Sequence, residues 1–539
     1  MPRAGVDIVV VVDINMGRVS PWKLKTIKQA LMTVIDKLGP NDRFSIVWFK
    51  GSVPHTVKLT FTSNKGKEIA KVMINELDGS HGNNTIAALR EGVEILRGRG
   101  AEEAYNRVGC ILFISNGDGM VALKTEISSE FPVHTIGVQK HHDPEVMKYI
   151  ADKTRGTYSF LDEDDSCIHE AFKLFTTGIT SVAARFIQIT LAAHEGITIS
   201  SIESGGYKNL VGPEKQTGVI DIDNMYAGEQ KNFIVYLRVG EGNRKLLTIG
   251  GQYRSFDASK QLADKDVFIL RPLSERSPDK LGIHHEVAAE RMRIWLMKGF
   301  SIMVEMQHPM CGEGPRELWN SIRHPSEGHC ATKETMVNLS NDVTEIERNI
   351  RDYLNNHERW YTKVPYLMSW LSCHKWQRAT TKGSCYDSGA FTLAQLSASE
   401  QHVGEDGDLR GAARFLVVCS GGGGPARRRG NLAQAWEAGC AEALPLAAEL
   451  AVVRVAAPAR PRSRPLQAHL GRGGPAASHR RRSPLEVQFG RRKAGWGRHR
   501  RRLAAAGRQR LCGPEMGLAG PGVAWCATAA TSGRHPRRC

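Results

Sequence analysis

The chain has 539 residues, 41% apolar and 24% charged, enough for three to four domains of about 150 residues each, most of them with a buried core. Its net charge of +17 is uneven, because residues 410–539 hold 25 of the 73 Lys and Arg but only 5 of the 56 Asp and Glu. Residues 1–409 are therefore close to neutral, which excludes a uniformly basic nucleic-acid-binding protein.

The first element is the Val and Ile run Val6 to Asp13. Such a run is expected of a strand buried on both faces, the kind found in parallel sheets covered by helices. Residues 20–38 repeat apolar side chains at helical spacing (Leu24, Ile27, Leu31, Val34, Ile35, Leu38) and stop at Gly39-Pro40. Residues 43–49 read as a strand, 65–77 and 85–97 as helices, and 108–115 as another buried strand. A short helix, strand 132–138, helix 143–153, strand 157–161 and helix 165–180 follow. This alternation predicts a doubly wound α/β sheet over residues 5–180. Ligands of such sheets sit at the carboxyl ends of the strands, near the switch in strand order, and here those ends carry Asp13 and Ser115-Asn116.

The segments VDIVVVVDINMG, NDRFSIVWF, GNNTIAALREG and CILFISNGDG resemble a von Willebrand factor type A domain, in the version found in plants. The resemblance implies a Rossmann-like sheet whose top loops bind a protein partner. In that family the loops often carry a metal-ion-dependent adhesion site with the motif D-x-S-x-S, a Thr in a later loop and an Asp in an S-D-G turn. Magnesium requires about six hard oxygens in near-octahedral array. Carried over by position, Asp13 matches the first aspartate, and Asn15 stands at the first serine with an amide oxygen still able to ligate. Gly17 stands at the second serine and offers no side-chain oxygen. Alignment through Leu89-Arg90-Glu91-Gly92 puts Asn83 at the threonine, with Thr85 two residues on. Asn116 replaces the second aspartate, with Asp118 two residues further. The candidate ligands are thus Asp13, Asn15, Asn83, Asn116 and Asp118, and the expectation is a degenerate site with no cofactor or weakly bound Mg2+.

Residues 182–272 change pattern. Short runs at 185–191, 197–202, 218–222, 232–239 and 245–253, punctuated by Gly, Asn and Pro, predict an antiparallel β-sandwich of immunoglobulin size. Residues 281–400 read as helical, with helices over 283–307 and 334–359, the first carrying a stripe of Val287, Met292, Trp295, Leu296, Phe300 and Met303 suited to a core. The segment Pro365 to Gly383 resembles a Trp-Gln-Arg-Ala-Thr signature near the C-terminus of plant type A domain proteins, a region that family terms class as intein-like. Self-splicing chemistry is not expected, because Cys373 and His374 are adjacent and point apart. Packing of Trp370 and Trp376 is the expected role.

Eleven cysteines are scattered without a C-x2-C pair, which argues against a zinc ribbon or a disulfide scaffold and for a reducing compartment, cytoplasm or nucleus. Cys311, His324 and His329 have the spacing of the second half of a C2H2 finger, but the cysteine that should precede Cys311 is missing, and no ordinary finger would take Cys330 in its place, so they read as loop residues. No secretory signal is expected from the short, acid-interrupted first apolar run, and no stretch approaches the roughly 20 apolar residues of a membrane span. The start at Met1, running through Pro2-Arg3-Ala4-Gly5 straight into the first strand, is expected to be a truncation. Residues 405–539 are rich in Arg, Ala and Gly. They are expected to be disordered, or the product of a frame-shifted or mis-joined reading frame, with non-specific nucleic-acid binding as the functional alternative.

Some plant type A domain proteins carry a RING finger and act as ubiquitin ligases. A RING needs eight zinc ligands in Cys and His pairs, and no such set occurs here. The resulting expectation is a non-enzymatic protein-interaction module docking a partner through the loops Asn15–Ser20, His81–Thr85 and Asn116–Met120. The alternative is a substrate-recognition component that works with RING-bearing relatives.

Overall fold

The Val and Ile run folds as strand β1 (Gly5–Asp13), and all nine residues are buried. In the computed structural model, alternation along the strand divides its side chains between two cores: Ile8, Val10 and Val12 enter one, Val9 and Val11 the other. The structure describes residues 3–13, 21–50, 53–77, 85–116, 129–139, 142–161, 166–227, 229–239, 245–255, 258–268, 285–305, 316, 319–320, 334–355, 364–380, 413–421 and 448–455. All of them fall within the unit Met1–Arg462.

After β1 come α1 (Pro21–Lys37), β2 (Arg43–Lys50), β3 (Val53–Thr56), β4 (Thr60–Phe61), α2 (Asn64–Glu76), α3 (Thr85–Arg97), α4 (Ala101–Ala104), β5 (Arg107–Ser115), β6 (Val133–Val138), α5 (Pro144–Lys153), β7 (Tyr158–Leu161) and α6 (Ser166–Thr180). The sheet order is β3-β2-β1-β5-β6-β7, with β4 also on β2. Strands β2, β1, β5, β6 and β7 run parallel, while β3 and β4 are antiparallel additions to β2. The doubly wound sheet read from the sequence is therefore present. The short helix expected before β6 lies outside the described residues.

Each face of the sheet is covered as its pattern requires. Helix α1 turns Leu24, Ile27, Leu31 and Val34 inward beside α6. On the other face α3 presents Ala88, Leu89, Val93 and Leu96. Gly92 lets α3 approach closely, since a Cβ there would meet Val11 Cγ2 at 2.8 Å. Helix α5 starts at an Asp143 cap, whose carboxylate accepts from the Val146 amide at 3.0 Å, with Pro144 in the first turn.

Thr180 leads directly into a sandwich of β8 (Val182–Ala193), β9 (Ile197–Glu203), β10 (Lys208–Val211), β11 (Thr217–Tyr226), β12 (Lys231–Val239), β13 (Lys245–Arg254) and β14 (Ser259–Phe268). One sheet, ordered β10-β11-β8-β13-β14, is antiparallel throughout. Helices α7 (His285–Glu305), α8 (Glu334–Asn355) and α9 (Val364–Trp376) follow, then β15 (Ala413–Gly421) and β16 (Ala448–Val455). These last strands complete the second sheet, β16-β15-β12-β9.

Two expectations are amended here. The sandwich is not purely antiparallel, because β15 pairs parallel to β12 from Lys231↔Ala413 to Val239↔Gly421. The tail after residue 405 also contributes β15 and β16, each satisfying the backbone of a neighbouring strand that would otherwise be an open edge. The rest of the tail lies outside the described residues, as do Cys311, His324, His329 and Cys330.

The helical segment shares a core with the first sheet. Met292, Leu296 and Phe300 of α7, Leu339 and Val343 of α8, and Trp370 and Leu371 of α9 join Val9, Val11 and Phe113 in one cluster. Trp370 meets Phe300 edge-on at 5.1 Å, stacks on His374 at 3.8 Å and donates Nε1–H to Asp342 Oδ2 at 3.1 Å.

The Trp-Gln-Arg-Ala-Thr signature, Trp376 to Thr380, ties three parts of the chain together. Trp376 enters the sandwich core while its Nε1–H donates to Asp152 of α5 at 3.2 Å. The Gln377 side chain pairs with the Asn232 backbone like a strand, accepting at 2.8 Å and donating at 2.9 Å. Arg378 is buried against Glu229 at 2.7 Å and lies 4.1 Å over the Tyr226 ring. Thr380 closes on Ser369 of α9. Cys373 and His374 are both buried in α9, which fits packing rather than nucleophilic chemistry.

Candidate functional site

Asp13 is the last residue of β1 and pairs across the sheet with Ser115, the last residue of β5. Strand β1 leads through α1 to β2 on one side, and β5 lies on its other side. The chain therefore winds in opposite directions from this pair, and the crevice at their carboxyl ends is the switch point where such sheets bind ligands.

The parallel ladder fixes the local geometry. Asp13 is 8% exposed. Its Oδ2 accepts from Thr85 Oγ1 at 2.5 Å and from Ser115 Oγ at 3.2 Å. The Asn116 backbone N–H donates to the Asp13 backbone carbonyl at 3.3 Å. Burial pushes the Asp13 carboxyl above the usual carboxylate range, and the hydrogen bonds from Thr85 and Ser115 offset only part of that rise.

Of the sequence candidates, the structure brings together Asp13 and Asn116. Asn15, Asn83 and Asp118, the non-ligating Gly17, and the loop segments 14–20, 78–84 and 117–120 lie outside the described residues. Two hydroxyls not among the candidates also reach the carboxylate, those of Thr85 and Ser115. Thr85 opens α3, two residues beyond the position that alignment assigns to the family's threonine. Its place at the start of a helix after a Gly-Asn-Asn loop was the available signal. Ser115 was visible as the strand end but carried no assigned role.

A type A domain implies a divalent ion at this position, so the donors are tested against that chemistry. One carboxylate and two hydroxyls meet here, hard oxygen donors of the right kind, and the neighbouring Asn116 side chain is uncharged. Together they carry a single negative charge, and among the described residues no group of three or more His, Cys, Asp or Glu is placed to hold a metal. The described donors fit a strongly bound dication poorly. Trp22, in the first turn of α1, is 50% exposed. Trp48, one register step below Asp13 on the neighbouring strand, stacks on His55 at 5.3 Å.

Residues 6–160 match the family model for a von Willebrand factor type A domain. Over 285 residues the chain is 26% identical to the E3 ubiquitin-protein ligase WAV3 of Arabidopsis thaliana, covering 51% of this chain and 37% of that protein. It is 24% identical over 263 residues to the probable E3 ubiquitin-protein ligase WAVH2 of the same plant, covering 46% and 35%. The matched segment thus spans little more than a third of the length of these relatives. Among solved structures, a von Willebrand factor type A protein from Catenulispora acidiphila aligns with a TM-score of 0.45 at 14% identity, covering 65% of this chain and 83% of that one. No helix among the described residues is long and apolar enough to cross a membrane.

Proposed function

We propose that this chain is a non-enzymatic protein-interaction module that docks a partner protein on the carboxyl-end rim of its type A sheet, around a degenerate metal-ion-dependent adhesion site. One observation carries the reading: Asp13 sits buried at the switch point with two hydroxyl partners, while the position of the family's second acid is the uncharged Asn116. A site of this kind retains a shaped, polar crevice but lacks the charge that holds a hard dication tightly. The half-exposed Trp22 in the first turn of α1, the helix that follows β1, is the type of residue that anchors protein interfaces.

The similarity to plant E3 ubiquitin-protein ligases favours a second reading of the same surface, as the substrate-recognition part of a ubiquitin ligase system. In that reading the ligase chemistry belongs to a RING-bearing relative. The intein-like region acts as the structural clamp formed by Trp376 to Thr380.

The test is co-purification with the full chain followed by cross-linking. Cross-links to a partner should map to the rim, and Trp22→Ala and Asp13→Ala should each reduce partner recovery. Cross-links that avoid the rim, or recovery unchanged in both variants, would defeat the reading. Calorimetry separates the metal question: micromolar magnesium affinity abolished by Asp13→Ala would contradict a degenerate site. Autoubiquitination by the purified chain alone would contradict the non-enzymatic assignment.

A further inference from the structure

At the opposite end of the first sheet, near the amino end of β5, three side chains from distant parts of the sequence form an exposed patch. Tyr105, between α4 and β5, is 64% exposed, and Phe186 in β8 is 63% exposed. Arg254, the last residue of β13, lies over both rings, 5.9 Å from Tyr105 and 5.4 Å from Phe186. Arg185 lies 5.8 Å from the Phe186 ring.

The backbone holds Phe186 there at a cost. Its φ is +50° within a strand, a conformation that bulky L residues rarely adopt. The neighbouring ladders show why it turns outward. Between the pairs Arg254↔Arg185 and Gln252↔Gln188 the β8 strand carries one residue more than β13, a bulge that re-aims a side chain. A strained backbone that places a large ring in water gives nothing to the fold, and strain of this kind clusters at binding sites.

Among the described residues no carboxylate pairs with the charge on the patch. Arg185, 6% exposed, lies beneath the patch and donates to the Arg107 carbonyl at 2.9 Å and the Asn106 amide oxygen at 3.1 Å, both neutral acceptors. Arg254 forms no ion pair among the described residues. Burial and the neighbouring Arg254 charge both pull Arg185 below its usual range, as expected for two guanidiniums without a carboxylate between them.

We infer that this patch is a second docking surface, for a partner segment that places a carboxylate side chain on Arg254 and packs an apolar side chain on Phe186 and Tyr105. Aromatic rings and arginines are the residues that dominate protein interfaces, and a guanidinium already stacked on a ring keeps its edge free for a carboxylate. The surface lies at the other end of the sheet from Asp13, so it stands independently of the rim described above.

The test uses the full chain and an array of short synthetic peptides, in which a central Phe or Gly is flanked by Asp or by Asn. Binding is expected to require both the Asp flanks and the central Phe. Arg254→Gln should weaken binding by about thirtyfold, the loss of a hot-spot residue. Phe186→Gly should remove binding without lowering the thermal unfolding midpoint, because glycine takes a positive φ without strain. Asp13→Ala should leave peptide binding intact. Binding that ignores the Asp flanks, or that survives both patch substitutions, would overturn the inference. So would displacement by inorganic phosphate with no need for the central Phe, which would mark a simple anion site, or loss in Asp13→Ala, which would place the peptide at the rim.

Discussion

Strand β1 carries two buried aspartates, six positions apart, in opposite surroundings. Asp7 is fully buried at the amino end, where its carboxylate receives Arg43 at 2.8 Å through both oxygens, Arg99 at 2.7 Å and Arg107 at 2.6 Å. Burial pushes its carboxyl up, but the hydrogen bonds from Arg43, Arg107 and Arg99 outweigh burial and hold it below the usual range. Asp13, at the carboxyl end, meets two hydroxyls and is held above that range. The difference separates a carboxylate neutralised by cations from one that is not. The carboxylate at the amino end is saturated by cations, and the one at the carboxyl end is left with hydroxyl partners.

The comparison breaks most visibly at Asp7. In Asp7→Ala, three guanidiniums that are mostly buried lose their common partner, and the loss of stability is expected near the top of about 3–5 kcal/mol, read as a lower urea midpoint. The pH dependence follows from the direction of the shift. A carboxyl held below its unfolded value contributes stability that is fully present above about pH 4 and is lost as pH falls through the lower folded value. The acid limb of the stability profile should flatten in the variant. An unchanged urea midpoint would show that the three arginines find other partners.

Glu229 extends the comparison to the junction of the two domains. Burial would raise its carboxyl, yet the charges of Arg378 and Lys231 and the Arg378 hydrogen bond leave it lowered. Arg378→Ala removes one of two cations and the ring contact with Tyr226, while Lys231 remains at 3.0 Å from Glu229. The expected cost is therefore smaller, about 3 kcal/mol, measured by the same denaturation. A loss as large as that of Asp7→Ala would mean that Lys231 does not hold Glu229 alone.

What the sequence revealed, and what it hid, follows the same line between local and distant contacts. Val6 to Asp13 announces a strand covered on both faces, and the helical spacing from Leu24 to Val34 announces its cover, because both patterns are set by near neighbours. The strand end at Asp13 and Ser115-Asn116 was legible for the same reason. The partnership of Asp13 with Thr85 was not, since it joins residues 72 apart in the chain. The role of Trp376 to Thr380 was equally hidden, because its partners Asp152, Glu229 and Asn232 lie 145 to 224 residues away. Strand β15 was masked by its setting: the run RFLVVCS within Ala413–Gly421 has strand character, but the composition around it reads as a tail, and its parallel partner β12 is nearly two hundred residues earlier.

The smallest effect, and the sharpest use of the comparison, is expected at Asp13 itself. A carboxyl held above its unfolded value costs stability where the unfolded chain ionises first, so the folded state weakens as pH rises through that interval. Asp13→Asn removes the ionisation while leaving an amide oxygen to accept from Thr85 and Ser115. Stability at neutral pH should therefore stay level or rise by up to about 1 kcal/mol, with the difference shrinking toward about pH 4. The sign is opposite to that of Asp7→Ala on the same strand. A loss at neutral pH would show that the charge of Asp13 serves the fold as that of Asp7 does, and the division between the two ends of β1 would not hold. Stability kept while rim cross-links disappear would show instead that the carboxylate is retained for its partner, at some expense to the fold.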